Sequence, residues 1–188
     1  DEYRGYGVPF DHRVSRFAEA LAIIRALFAT GECTHHGDWY DIDGALLFPK
    51  PVQPGGPPLM LGSFGPRMLR IALPHVQMWN AWNHDYGNTR EGLARLMATI
   101  DAACDEVRRD PATLVHTVCP LVRMTGGKGR PSGSGEVVPP LDGTDPAALA
   151  EELAALATMG IGHVMLVLDP ITADSIAELE PTLRLLDG

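Results

Sequence analysis

The stretch LMLGSFGPRMLRIALPHVQMWNAW, Leu59 to Trp82, sets the architecture. Leu59 to Leu61 is a short apolar run between Pro57-Pro58 and Gly62, the mark of a buried strand with a turn after it. Gly62, Ser63, Phe64 and Gly65 then lead through Pro66 into a helical pattern from Arg67 to Leu73. Gln77 to Trp82 is strand-like again. Strand, glycine turn, helix and strand make the repeating unit of a parallel sheet.

Downstream the unit recurs. The polar turn HDYGNT places Asn88 or Thr89 to cap a helix over Arg90 to Arg109, which Pro111 closes. Leu114 to Arg123 has the β-branched content of a third strand, with Pro120 expected to disturb its ladder. TGGKGRPSGSGEVVPP, residues 125–140, predicts a flexible loop without regular structure. Asp145 or Thr144 caps the next helix, with Pro146 in its first turn and Gly160 as its stop. His163 to Leu168 is the fourth strand, apolar as a buried parallel strand is, and Ala173 to Leu186 the last helix.

Upstream, Val14, Phe17, Leu21 and Ile24 recur at three- and four-residue spacing, which predicts a helix over Asp11 to Thr30 with Asp11 as N-cap and Gly31 as stop. CTHHGDWYDIDGALLFPKPVQPGGPP reads as a hairpin-like insert. The opening DEYRGYGVPFDHR has no Met and reads as a loop, as if cut from a longer sequence. Four alternations of strand and helix argue for α/β with right-handed crossovers. A flavodoxin-like sheet and part of a (β/α)8 barrel both fit, four strands being too few to close a barrel of about 250 residues.

Composition narrows the function classes. The 188 residues suit one domain, 1–188, and 45% of them are hydrophobic. Fifteen Lys and Arg against 24 Asp and Glu give a net charge of −9, which disfavours nucleic acid or anionic membrane as partner. Cys33, Cys104 and Cys119 are an odd count without a CxxC pair, so neither a disulfide framework nor a zinc knuckle is expected, and a reducing cytoplasm fits. No run of about 18 apolar residues predicts a membrane span.

The turn after Leu61 carries the chemistry. A strand that ends in glycines and enters a helix leaves backbone N–H groups unpaired, with the helix dipole behind them, and can receive a phosphate. Gly65 would let an anion approach, Ser63 would add a hydroxyl and Arg67 a positive charge. The alternative is a tight turn with Arg67 solvated, since the spacing is neither GxGxxG nor GxxxxGK[ST].

Several stretches together resemble the C-terminal part of the luciferase-like monooxygenase family, specifically its flavin- or coenzyme F420-dependent oxidoreductases. They are EYRGYGVPFDHRVSR (Glu2 to Arg16) with the helix FAEALAIIRALF, Trp39-Tyr40, Pro49-Lys50-Pro51, GSFGPRML (Gly62 to Leu69) and LPHVQMWNAW (Leu73 to Trp82). Gly87-Asn88-Thr89, Asp110-Pro111-Ala112, Gly143-Thr144 and HVMLVLDP continue the likeness. The resemblance covers almost the whole chain and implies a (β/α)8 barrel, of which this chain supplies helix 4 and units five to eight.

The resemblance further implies that Ser63, Phe64, Gly65, Arg67 and Met68 meet the cofactor's phosphate. Asn80 and Trp82 are expected to face the pocket, Asn80 as a donor and Trp82 as an apolar wall, although a packed aromatic strand end is the other reading. Gly143 and Thr144 form a second candidate turn at the cofactor tail. Glu2 falls where the family carries an acidic residue near the cofactor ring. Coenzyme F420 is the expected cofactor, because LPHVxxWNxW with GNT resembles F420-assigned members most, and FMN with monooxygenase chemistry is the alternative. The expected partners are a small-molecule substrate and, in the intact protein, a second copy as a homodimer. A half-barrel that works only with a partner chain is the non-catalytic alternative. No side chain is singled out for the chemical step, because in the family those proposed for it lie on the early strands.

Other clusters carry less. Cys33, His35, His36 and Asp38 could ligate a metal, but adjacent residues of a strand point to opposite faces, and a polar hairpin with no metal is the expectation. The Lys128 loop lacks P-loop spacing, and no GxSxG elbow is present. His75 and His163 read as structural, Arg13 and Arg16 as ion-pair formers. Met60, Met68, Met78, Met159, Met165 and Cys119 read as core filler.

Overall fold

The computed structural model describes residues 2–131, 135 and 137–188. The opening segment is not all loop: α1 (Glu2–Gly5) is a single helical turn. α2 (Arg13–Thr30) begins after His12, whose φ of 54° ends the preceding turn and displaces Asp11 from the cap position. His12 stacks on Trp39 at 4.8 Å, and Arg16 lies 4.3 Å from the centre of the same indole. Arg13 lies over Phe10, so both arginines face aromatic rings, and among the described residues neither forms the expected ion pair. Gly31, at φ 82°, stops the helix as expected.

β1 (Glu32–His36) and β2 (Asp41–Leu46) pair antiparallel as the hairpin insert. The Glu19 carboxylate, reaching from α2, accepts the N–H groups of Asp38, Trp39 and Tyr40. Burial pushes its pKa up, but those three N–H groups and His35 outweigh it and hold the carboxyl below its usual range.

β3 (Met60–Leu61), β4 (Met78–Trp82), β5 (Val115–Cys119) and β8 (Ile161–Val164) form one parallel sheet in the order β3-β4-β5-β8. β6 (Leu121–Arg123) lies between β7 (Leu141–Asp142) and β9 (Val167–Asp169) in a second parallel sheet. The two expected strands Leu114–Arg123 and His163–Leu168 are thus each split, into β5 with β6 and β8 with β9. α3 (Pro66–Ala72), α4 (Arg90–Glu106) and α5 (Pro146–Thr158) connect them, Thr89 and Asp145 capping the last two. The expected last helix is also divided, into α6 (Ala173–Ala177) and α7 (Glu180–Leu186), with Pro181 in the first turn of α7. Strand order and parallel sense make this a partial (β/α)8 barrel with four consecutive units.

Within residues 125–140 the described positions form no helix or strand beyond an isolated bridge between Pro131 and Val137. Ser132, Gly133, Ser134 and Glu136 lie outside the described residues. Among the described residues no helix is long and apolar enough to cross a membrane.

Alternation on the strands separates two faces. Trp79 and Ala81 of β4, Val118 of β5 and Leu61 of β3 are buried against Leu69 and Ala72 of α3 and Leu93 and Ile100 of α4. The core therefore lies between sheet and helices. On the other face Met78, Asn80 and Trp82 pair in register with Val115, Thr117 and Cys119, and Met60, Trp82 and Val115 stay exposed. Met60 is thus not the core filler expected.

The break at Pro120 is bridged by two asparagines. Asn88, at φ 54°, accepts the Leu121 N–H at 3.0 Å and donates to the carbonyls of Leu121 and Pro139. Asn83 donates to the Cys119 carbonyl. The side-chain amides take the place of ladder bonds that the proline interrupts. Asn88→Ala, which strands those backbone groups, should lower unfolding free energy by about 2–4 kcal/mol in urea titration.

His116 is buried beside Trp79, 3.4 Å from Asp101, and among the described residues its Nδ1 has no partner. Burial lowers its pKa, and Asp101 reverses only part of that. A folded pKa below the unfolded value of about 6.5 means the unfolded chain binds the proton first, so stability falls as pH drops below about 6.5. His116→Phe should flatten that part of the Tm-against-pH curve between about pH 6.5 and 5; an unchanged slope contradicts the assignment.

Candidate functional site

All strands of both sheets point their C-terminal ends to one rim, where the loops of a (β/α)8 barrel hold ligands. The Gly62–Gly65 turn leaves β3 at this rim. Its conformation is set from below: the buried Trp79 indole donates to the Ser63 carbonyl at 2.9 Å, the pairing a buried indole N–H needs. With its carbonyl tied inward, the turn keeps the Ser63 hydroxyl half-buried and Phe64 half-exposed. Pro66 has no N–H, and helix geometry leaves those of Arg67 and Met68 without intrahelical acceptors. The only side chain on the turn's own amides is Ser63, whose Oγ lies 3.4 Å from the Gly65 nitrogen among the described residues.

One member of the expected set, Arg67, is placed differently from the sequence reading. Arg67 extends across to α2, where its guanidinium donates to the Ser15 hydroxyl at 2.9 Å. Met68 turns inward and packs on the core, so only its backbone is available to a ligand.

The second expected turn has its donors engaged. Gly143 N–H donates to the Arg123 carbonyl, and the Thr144 N–H and hydroxyl both go to the Asp142 carboxylate. Those Thr144 bonds, with Arg123 nearby, hold the Asp142 carboxyl below its usual range. Asp145 takes the next two N–H groups, of Ala147 and Ala148. Gly129 and Lys128 likewise give their N–H groups to the Asp169 carboxylate, at 2.6 and 2.9 Å. In this acidic chain, then, amide clusters are filled by its own carboxylates at three places: Glu19, Asp142 with Asp145, and Asp169. The Gly62–Gly65 turn faces no such carboxylate among the described residues.

The two glycines differ in the same sense. At Gly143 a Cβ would collide with Met124, Val122 and the Arg123 carbonyl, so packing demands glycine there. At Gly65 the φ is −68°, open to any residue, and a Cβ would meet only Ser63 Oγ at 4.0 Å. Neither backbone nor packing requires Gly65.

Asn80 and Trp82 share the open face of β4, as alternation predicts. The Asn80 amide is locked: Oδ1 accepts the Thr117 hydroxyl at 2.8 Å, and Nδ2 lies 3.4 Å from Cys119 Sγ. Cys119 is accordingly a partner of Asn80 as well as a small buried residue. Trp82 walls a cleft of about 200 Å³ that also involves His84, Leu121, Arg130 and Val167. His84 and Arg130 were not legible as site residues, because HDYGNT reads as a cap and GGKGR as a loop; only the rim brings them together. Glu2 opens α1, and its side chain lies outside the described residues. In the hairpin His36 contacts Asp41 and His35 contacts Glu19, and among the described residues no three potential ligands gather for a metal.

The family model described as luciferase-like monooxygenase matches residues 1–125. An uncharacterised protein of Mycobacterium tuberculosis (strain ATCC 25618 / H37Rv) is 30% identical over 118 residues, 63% of this chain and 38% of that protein. A phthiodiolone/phenolphthiodiolone dimycocerosates ketoreductase of Mycobacterium sp. (strain JLS) is 29% identical over 115 residues, 60% of this chain and 30% of that protein. The chain thus spans well under half the length of these curated relatives. Among solved structures, an F420-dependent secondary alcohol dehydrogenase in complex with an F420–acetone adduct superposes with a TM-score of 0.66 at 15% identity, over 95% of this chain and 62% of that one. A riboflavin lyase with modified FMN and riboflavin gives 0.71 at 12% identity, over 98% and 60%. At these identities the superpositions speak for the fold.

The two glycines generate a paired test of stability. Gly143→Ala should destabilise by about 2–4 kcal/mol through overpacking, while Gly65→Ala should stay within about 0.5 kcal/mol of the parent in chemical denaturation. A large loss at Gly65 would mean that the fold, not a ligand, requires that glycine.

Proposed function

Because the chain belongs to the luciferase-like monooxygenase family, whose model matches residues 1–125, we propose that it is part of an oxidoreductase using coenzyme F420 to interconvert a small organic substrate by hydride transfer. The observation that carries the cofactor placement is the Gly62–Gly65 turn, a glycine bend on the catalytic rim whose amides no carboxylate among the described residues takes. When bound, the deazaflavin supplies the two-electron hydride chemistry, while the protein orients and desolvates it.

In this reading the amides of Ser63, Phe64, Gly65, Arg67 and Met68 receive the cofactor phosphate. Arg67 contributes field more than contact, being tethered to Ser15. Trp82 walls the ring side of the pocket, and Asn80, oriented by Thr117, presents its amide there. Gly143 and Thr144 are assigned a lesser part near the cofactor tail, since any anion there must displace the Asp142 carboxylate from Thr144. Two names support a carbonyl and alcohol pair as substrate and product: a ketoreductase among the relatives and a secondary alcohol dehydrogenase among the structures of like fold. A homodimer is the proposed assembly.

FMN with oxygen chemistry is the competing reading, supported by an FMN-containing structure of the same fold. Fluorescence titration of the full-length protein separates the two. F420 should bind at micromolar or better affinity, and FMN about tenfold or more weakly. Gly65→Ala should weaken F420 about tenfold without changing Tm, because the added methyl occupies the approach to the amides. Tight FMN binding with oxygen consumption overturns the F420 assignment, and binding of neither cofactor overturns both in favour of a non-catalytic role with a partner chain.

A further inference from the structure

A cavity of about 490 Å³ lies away from the catalytic rim. It lies at the opposite end of the strands, between the last turns of α2, the proline-glycine loop that precedes β3, and the loop from α3 to β4. Its volume is within the usual range for a small-molecule site, about 300–1,000 Å³. Phe28, Pro57, Pro58, Leu59 and Pro74 supply apolar walls.

Its charge is opposite to that of the chain. Arg25 and His75 are the titratable residues that line it, and no carboxylate does, although the protein carries a net charge of −9. Arg25 has no ion-pair partner among the described residues. Arg90, Arg123 and Arg184, by contrast, each sit on a carboxylate. The cavity wall is also held in place independently of any ligand. Gln77 accepts the Leu59 N–H and donates to the His75 carbonyl, joining two walls. From behind, Arg109 donates to the carbonyls of Leu73 and Val76 on either side of Pro74-His75. Gly56 packs so closely on Phe28 that a Cβ there would overlap its ring, which keeps the loop over the aromatic wall.

We propose that this cavity is a second small-molecule site, which takes an organic carboxylate with an apolar or aromatic body, the carboxylate between Arg25 and His75 and the body against Phe28 and the prolines. The site does not rest on the redox reading, because none of its residues is on the rim. Burial and the neighbouring Arg25 hold the free His75 below its ordinary pKa. A bound anion reverses the second effect and raises that pKa, so binding takes up a proton and strengthens as pH falls. The groups facing His75 fit this sign: Arg25 from α2, Gln77 from the loop just before β4 and Arg109 behind the loop, with no acid among the cavity's lining residues.

The test follows the His75 ring resonance of the full-length, histidine-labelled protein during titration with benzoate, the resonance being assigned by its loss in His75→Gln. Benzoate should give a saturable shift, with affinity about threefold or more higher at pH 6 than at pH 8. Arg25→Gln, a substitution at an exposed position, should weaken it about tenfold or more while Tm stays unchanged. Neutral benzamide and inorganic phosphate should give no saturable shift, the first lacking charge and the second an apolar body. Benzamide binding as well as benzoate, phosphate binding as well as benzoate, or an affinity indifferent to Arg25→Gln would each overturn the proposal.

Discussion

A buried indole has one polar atom, and in this fold its hydrogen bond positions the rim. Trp79 fills the core between sheet and helices with its ring fully covered, so its N–H must find an acceptor inside the protein. The acceptor is the Ser63 carbonyl, which lies past the end of the neighbouring strand. Packing of the core thereby sets the orientation of the turn above it. Register pairing of Leu61 with Trp79 brings the two into reach, and the turn's remaining amides are left for the rim.

Acidic composition gives that turn its distinction. Backbone amides that gather at turns and helix starts attract whatever anion is at hand, and a chain with 24 carboxylates has many at hand. Glu19 closes the hairpin turn in this way, Asp145 the start of α5, and Asp169 the glycine loop after β6. Each occupies amides that could otherwise meet a bound ion, and Asp169 does so within GGKG itself. Among the described residues no carboxylate takes the amides of the bend at Ser63 to Gly65, and its second glycine answers no demand of conformation or packing.

Much of this was legible along the chain. Helix caps at Thr89 and Asp145, the stop at Gly31, the hairpin insert and the shared face of Asn80 and Trp82 all follow from local rules about hydrogen-bonding side chains, positive φ and strand alternation. Pro120 was read as a disturbance of its strand. What could not be read is how the fold repairs that break, because Asn83 and Asn88 lie some thirty residues away and look like ordinary turn formers. The same holds for Arg67, whose charge was expected at a ligand and whose guanidinium instead reaches Ser15.

The order of strands and helices, the parallel sheet and the glycine bend after its first strand were determined by the sequence alone, since periodicity, caps and turn residues act over a few neighbours. Which amides are taken by carboxylates, which glycine the packing requires, and which residues gather around Arg25 were decided only by tertiary structure. Those properties depend on partners brought close by sheet register and helix packing, and no local pattern of residues encodes the distance to a partner that folding alone supplies.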